Sequence, residues 1–266
     1  MPMSDATQTC LDFRLETTPY AKVSVHREQG GFVHHFSLRE PHDHLQILAT
    51  SLVETHLANP FAMLNLVWPD WEFYSEPSLA SQYYEYVCES RYVDFLPEVR
   101  YRSNTLRNPK APVAEFLIGM NRHIHESFEY DQDATHVNSR LDEVLAKRGG
   151  VCQDFAHLFI ACARVAGIPA RYVSGYLYVG NDASMRGEQA THAWAECLMP
   201  NGKWMGFDPT NNLLANDRYV KAHVGLDYSE ITPTKGIYTG YRTERLEVSV
   251  SVSEVSSQTD AVPTRA

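Results

Sequence analysis

The sequence predicts an α+β protein in which helices pack on one side of an antiparallel sheet, with a small β domain in front. Three observations lead there. Residues 11 to 58 alternate apolar and polar side chains and are rich in Val, Ile and Thr, the period-two pattern of half-buried strands. Between residues 113 and 166 the apolar residues recur at three- and four-residue steps, the spacing of helices with one buried face. After Gly167, strand-like segments return, separated by Gly, Asn and Asp turns. Helices in one block followed by strands in another is an α+β order.

The first block contains four strand-like segments: FRLETTP, KVSVHRE, GGFVHHFSLRE and LQILATSLVETHL. Gly30-Gly31 suits a hairpin turn between the second and third. Pro41-His42-Asp43-His44 suits a turn before the fourth. So thin a sheet has exposed edges and needs more strands or a partner surface. A second copy of the chain could supply one, which makes a homodimer an expectation. Residues 59 to 112 are broken by six prolines and read as a connector, with one helix in SLASQYYEYVCES. VAEFLIGMNRHIHES is a helix. SRLDEVLAKRGG is another, with Ser139 as N-cap, Asp142 three residues on, and Gly149-Gly150 as its stop. A third starts near Cys152, runs to about Ala166, and ends at Gly167 and Pro169. RYVSGYLYVG, THAWAECLM and KWMGFDPT follow as strands, and Glu244 to Val252 alternates as a last one. The expected domains are 1–110 (β domain and connector), 111–252 (catalytic core) and 253–266 (a polar, disordered tail).

Composition excludes several classes. A net charge of −10 provides no basic footprint for nucleic acid or an anionic membrane. No apolar run approaches the roughly 18 residues of a membrane span. The first 15 residues lack the basic and apolar stretches of a signal peptide, so the expected location is the cytoplasm. Five cysteines, with no CxxC among them, argue against a disulfide framework or a zinc ribbon. His34 and His35 would point to opposite faces of a strand, and His123 and His125 lie about 200° apart on a helix. His42 and His44 could share an ion, but a metal site is not expected, and none is assigned.

Chemistry concentrates in RGGVCQDFAHLFIACARVAGIPARYVSGYLY. Two glycines lead into Cys152, which opens an apolar helix. Free N–H groups and the macrodipole at a helix start stabilise a thiolate, the reactive form of cysteine. Downstream, His192 sits in THAWAE and Asp208 in GFDPT, each in a strand. If those strands are neighbours, Asp208 orients His192, and His192 takes the Cys152 proton. Each residue alone is more often a bystander. The reading rests on the order of Cys-helix, His-strand and Asp-strand.

Together, RGGVCQDFAHLFIACARVAGIPARYVSGY, THAWAECLMPNGKWMGFDPTNN and HVGLDYSEITPTKGIYTG resemble the bacterial transglutaminase-like cysteine peptidases, over about residues 111 to 250. The resemblance implies a papain-like α+β core and a Cys152, His192 and Asp208 triad. The front segment GGFVHHFSLREPHDHLQILATSLVE resembles more weakly the β domain that often precedes this core, without its first strands, so that domain is expected to be incomplete. Tyr130, by resemblance, is the side-chain donor of an oxyanion hole that also uses the Cys152 N–H. Trp194 and Trp204 are candidates for the wall of a substrate cleft, with core packing the better reading. Asp154 is either a matching acidic position or a first-turn helix charge. Arg171 is either a surface residue or half of an ion pair.

Three functions are consistent with these residues. The first is a thiol-dependent hydrolase or acyltransferase on peptide, protein or amide substrates, working through a Cys thioester without metal or organic cofactor. The resemblance favours protease or amidase over crosslinking. The second is an arylamine N-acetyltransferase, whose nucleophile segment is similar but whose later blocks differ. The third is a non-enzymatic binding module on the same scaffold.

Overall fold

The computed structural model describes residues 1–180, 185–186, 191–240 and 245–255. Its elements are β1 (Gln8–Thr18), β2 (Ser24–Glu28), β3 (Gly31–His35), β4 (Gln46–Thr55), α1 (Pro77–Gln82), α2 (Pro97–Leu106), α3 (Val113–Ser127), β5 (Glu129–Tyr130), α4 (Leu141–Lys147), β6 (Gly149–Gly150), α5 (Cys152–Val165), β7 (Ala170–Leu177), β8 (His192–Leu198), β9 (Trp204–Asp208), β10 (Leu213–Leu214) and β11 (Tyr219–Gly225). The fold is the expected α+β arrangement. A five-stranded antiparallel sheet in the order β10-β9-β8-β7-β11 packs against α5, and α2, α3 and α4 pack around that helix.

Helix α5 sits at the centre, with every residue from Gln153 to Arg164 buried. Phe155, Ala156, Leu158, Phe159, Ile160 and Ala161 are all fully buried, and the polar Gln153, Asp154, His157 and Arg164 are buried with them, as in a helix enclosed by its neighbours on every side. Phe159 stacks on Phe207 of β9 with ring centres 5.3 Å apart. Arg164, also buried, gives its guanidinium protons to the carbonyls of Cys88, Ala170 and Leu226. One side chain thus ties three chain segments to the end of α5, with its polar group satisfied as burial demands.

The segment read as a connector belongs in part to this core. Val93 and Val99 are fully buried, and the Ser103 hydroxyl donates to the Cys162 carbonyl at 2.8 Å. The core therefore reaches back before residue 111. The single helix read in SLASQYYEYVCES is instead the short α1 followed by a 3-10 turn at Tyr84–Val87. Ser139 is not the N-cap of α4. That position is Arg140, while the Ser139 hydroxyl accepts from the His136 N–H and donates to Glu143. Nor do the two glycines stop the helix. Arg148 does so, at a left-handed φ of 51°, and the glycines go on to form β6.

The four front strands form two separate ribbons, β1 with β4 and β2 with β3. Both are anchored on β11. The Val224 N–H donates to the Gly30 carbonyl at 2.9 Å, and a Cβ on Gly30 would meet the Val224 oxygen at 1.8 Å, so this turn requires glycine. The buried Gln8 side chain bonds the Lys221 N–H and carbonyl. Behind that contact lies a buried ion cluster, in which Glu196 binds Arg171 and Lys221, and Lys221 also reaches Asp5. Burial opposes the Glu196 carboxylate, but Lys221 and Arg171 overcome that and hold it below its ordinary range.

Among the described residues the last expected strand is not formed: Arg245 to Val252 has no strand partner there, and Leu246 and Val248 are exposed; residue 244 lies outside the described residues. Alternation fits a side chain to a pleat, but only a neighbouring strand makes it a sheet. Residues 256–266 of the predicted tail also lie outside the described residues. Among the described residues, no helix is long and apolar enough to cross a membrane, and no group of three or more His, Cys, Asp or Glu side chains could hold a metal ion.

Candidate active site

Cys152 is presented by a tight local construction. β5 and β6 pair in parallel, placing Tyr130 beside Gly150, and the Asp131 N–H closes on the Gly150 carbonyl at 3.0 Å. Asp154, in the first turn of α5, folds back so that its Oδ2 accepts from the Val151 N–H at 2.8 Å and the Thr135 hydroxyl at 2.6 Å. This satisfies an N–H at the helix start and places an anion where the macrodipole favours one. A Cβ at Gly150 would lie 2.6 Å from that Oδ2. Gly150 therefore leaves room for the cap that fixes the start of α5, and Asp154 is a helix cap. Burial pushes its carboxyl up, against the Thr135 and Val151 hydrogen bonds. Cys152 is the first residue of α5 and is half-buried, whereas Cys162 and Cys197 are fully buried, and burial pushes the Cys162 thiol up to about 12.

His192 opens β8 and Asp208 ends β9. The two strands are antiparallel neighbours, with Ala195 opposite Phe207. The His192 Nε2 lies 2.8 Å from the Asp208 Oδ2, and both side chains are inaccessible to solvent. Asp208 is saturated with donors. Its Oδ2 also accepts from the Asn211 amide and the Tyr219 hydroxyl, each at 2.8 Å, while its Oδ1 accepts from the Thr210 and Asn211 N–H groups. Burial opposes the Asp208 charge, but His192, Asn211 and Tyr219 outweigh it and hold the carboxyl below its ordinary value.

For His192 burial again disfavours charge, yet Asp208 first and Cys152 second reverse the sign and raise the imidazole to about 10. Because Nε2 carries the proton facing Asp208, Nδ1 is the nitrogen left to exchange one. This tautomer is assigned from the hydrogen-bond network. Nδ1 is buried and has no partner of good hydrogen-bond geometry among the described residues, while Cys152 is near enough to add to the ring's basicity. The structure thus brings Cys152, His192 and Asp208 together.

Tyr130 is half-buried on the same side. Burial raises its hydroxyl, and the charge of a Cys152 thiolate raises it further. The Arg186 guanidinium stands 5.4 Å from its ring centre. Trp194 does not line an open cleft. It is 1% exposed and lies behind His192, with ring centres 6.2 Å apart at 27°, and edge-on to Tyr219 at 5.3 Å. A Cβ on Gly175 would sit 2.6 Å from the Trp194 ring, so that glycine admits the indole. Trp204 lies at the opposite end of β9 from Asp208, under Arg171 and beside Tyr83 and Tyr86.

Sequence reasoning missed three residues here: Tyr219, Asn211 and Arg186. Asn211 had a signal, since an Asn three residues after a turn Asp can fold back onto it. Tyr219 had none, because it arrives from the edge strand β11 by pairing with Leu177 of β7.

The comparisons agree with this architecture. Residues 99–209 match the family model of the transglutaminase-like superfamily, and residues 1–54 match that of the bacterial transglutaminase-like N-terminal region. An uncharacterised protein of Mycobacterium tuberculosis is 35% identical over 265 residues, covering 94% of this chain and 84% of that protein. The protein-glutamine gamma-glutamyltransferase of Pseudomonas aeruginosa is 33% identical over 126 residues, which is 43% of this chain and 18% of that one. Among solved structures, a candidate cysteine protease from Cytophaga hutchinsonii aligns with a TM-score of 0.68 at 23% identity, covering 87% of this chain and 76% of that chain, a likeness of fold. The chain belongs to the transglutaminase-like superfamily.

Proposed function

We propose that this chain is a thiol-dependent acyl-transfer enzyme on peptide or carboxamide bonds, with Cys152 as nucleophile, His192 as general base and acid, and Asp208 as the group that orients His192. The observation that carries this reading is the buried His192–Asp208 pair at 2.8 Å, set beside a half-buried cysteine at the start of a 14-residue helix.

The steps follow from that geometry. The Cys152 proton passes to His192 Nδ1, leaving a thiolate beside an imidazolium that Asp208 stabilises. The thiolate sulfur attacks the carbonyl carbon, and the carbonyl electron pair moves onto oxygen. The helix start and the Tyr130 hydroxyl face that oxyanion. The C–N bond breaks, the amine takes the proton from His192, and a thioester remains on Cys152. Water, deprotonated by His192, then releases the acid and the thiol. An amine in place of water would give transamidation. Hydrolysis of the protease or amidase type is the preferred reading, with a protein or peptide as substrate and the cytoplasm as its setting.

A direct test is acyl trapping. The protein is incubated with p-nitrophenyl acetate and its peptides are mapped by mass spectrometry. The acetyl group is expected on Cys152 in wild type and absent there in His192→Ala. Equal labelling of Cys152 in both proteins would contradict the reading.

A further inference from the structure

Arg186 is held in place by the catalytic carboxylate's own partner. Its N–H donates to the Asn211 Oδ1 at 2.8 Å, and the Asn211 amide donates back to the Arg186 carbonyl at 3.0 Å and to the Asp208 Oδ2 at 2.8 Å. A single side chain thus fixes the Arg186 backbone to the floor of the site. From there the guanidinium reaches over the Tyr130 ring, 5.4 Å from its centre. Among the described residues its Nη1 is buried without a hydrogen-bond partner, and Arg186 makes no ion pair. The residue as a whole is only half-buried.

A desolvated guanidinium N–H with nothing to bond is costly, and here it occurs in a protein of net charge −10 that has many carboxylates to offer. After burial, Cys152 raises the Tyr130 hydroxyl and Arg186 lowers it, so the thiol and the cation act on the same residue, over whose ring the guanidinium stands. A planar fork of donors suits a carboxylate.

We infer that Arg186 is a substrate-binding residue that selects acyl substrates carrying a carboxylate close to the carbonyl attacked by Cys152. This rests on the acyl-transfer reading above and adds a substrate class to it. The carboxylate is either an acidic side chain or a chain terminus.

The test uses alkylation of Cys152 by iodoacetate and by iodoacetamide, probes that differ in one negative charge. The informative quantity is the ratio of their rates in the full chain, because the contribution of His192 to both is common to wild type and variant. In Arg186→Gln the ratio should fall roughly fivefold, on the order of what one charge contributes at several ångströms in a partly solvated site. Arg186→Lys, which keeps the charge, should retain most of it. In a second arm, N-acetylglutamine and N-acetylglutamic acid α-amide compete against iodoacetamide. Protection that depends on Arg186 and favours the first points to a chain terminus; if it favours the second, it points to an acidic side chain. An unchanged rate ratio in a folded Arg186→Gln protein, or protection by both compounds that survives the substitution, overturns the assignment. Neither result touches the Cys152–His192 reading, which would fail separately through loss of His192-dependent reactivity.

Discussion

Replacing Asp208 by Asn separates orientation from charge. The amide keeps the shape, but one of its ends is now a donor facing the three donors that Oδ2 accepts: His192 Nε2, Asn211 and Tyr219. The lost charge acts first on His192. Unit charges about 4 Å apart interact by about 4 kcal/mol at an effective dielectric of 20. The imidazole, raised to about 10 in wild type with Asp208 the largest raising cause, should then fall well below that value. A thiolate needs less help in attack than a serine hydroxyl would, but protonation of the leaving amine still depends on a correctly aimed imidazolium. We expect kcat/KM on any peptide amide substrate to fall about 100-fold, or about 2.7 kcal/mol of transition-state stabilisation. The assay is steady-state hydrolysis, paired with Cys152 alkylation at pH 8, where the variant should react more slowly than wild type. Unchanged turnover with unchanged alkylation in a folded Asp208→Asn protein would refute the orienting role.

The other predictions concern the scaffold. Glu196→Gln leaves Lys221 and Arg171 buried without their carboxylate, and urea denaturation should show a loss of about 3 kcal/mol; a loss below about 1 kcal/mol would mean the cluster is solvated. Gly150→Ala drives a Cβ into Asp154, displacing the cap that holds Val151 and Thr135. It should cost about 1–3 kcal/mol, read as a fall in Tm, and slow Cys152 alkylation; an unshifted Tm would show that Asp154 gives way freely. The His192–Asp208 pair also sets a pH window. His192 is raised from about 6.5 to about 10, so its stabilisation is fully present below about pH 6.5 and is lost as pH rises through about 10. Asp208 is depressed, so its stabilisation is present above about pH 3.9 and is lost as pH falls further. Denaturation midpoints across that range should fall at both ends, with both slopes reduced in Asp208→Asn. Identical profiles for the two proteins would count against the pair.

What could be read in the sequence follows from the range of the interactions involved. Cys152, His192 and Asp208 each sit in a short segment whose local pattern (a glycine turn into an apolar helix, or a strand ending at a turn) determines its own shape. The partners Tyr219 and Arg186 are placed by strand pairing and by Asn211, over distances no local pattern encodes. The front strands were visible as strands because alternation is local, yet their division into two ribbons anchored on β11 depends on Gly30 and Gln8 meeting Val224 and Lys221. Ser139 and Gly149-Gly150 were read as cap and stop because these residue types favour those roles. Here the serine closes a turn instead, and Gly150 is needed to clear Asp154. Trp194 takes the core position that is the better of its two readings, and Gly175 makes room for it behind His192.

The most direct test of the account is the rate of Cys152 alkylation by iodoacetamide at neutral pH, followed by mass spectrometry in wild type and in His192→Ala. The account predicts that Cys152 reacts much faster than the equally half-buried Cys10 and Cys88 in wild type, and that this advantage is lost in His192→Ala. Equal rates for Cys152 in the two proteins would mean that Cys152 and His192 do not act as a pair, and the acyl-transfer function would fall with them.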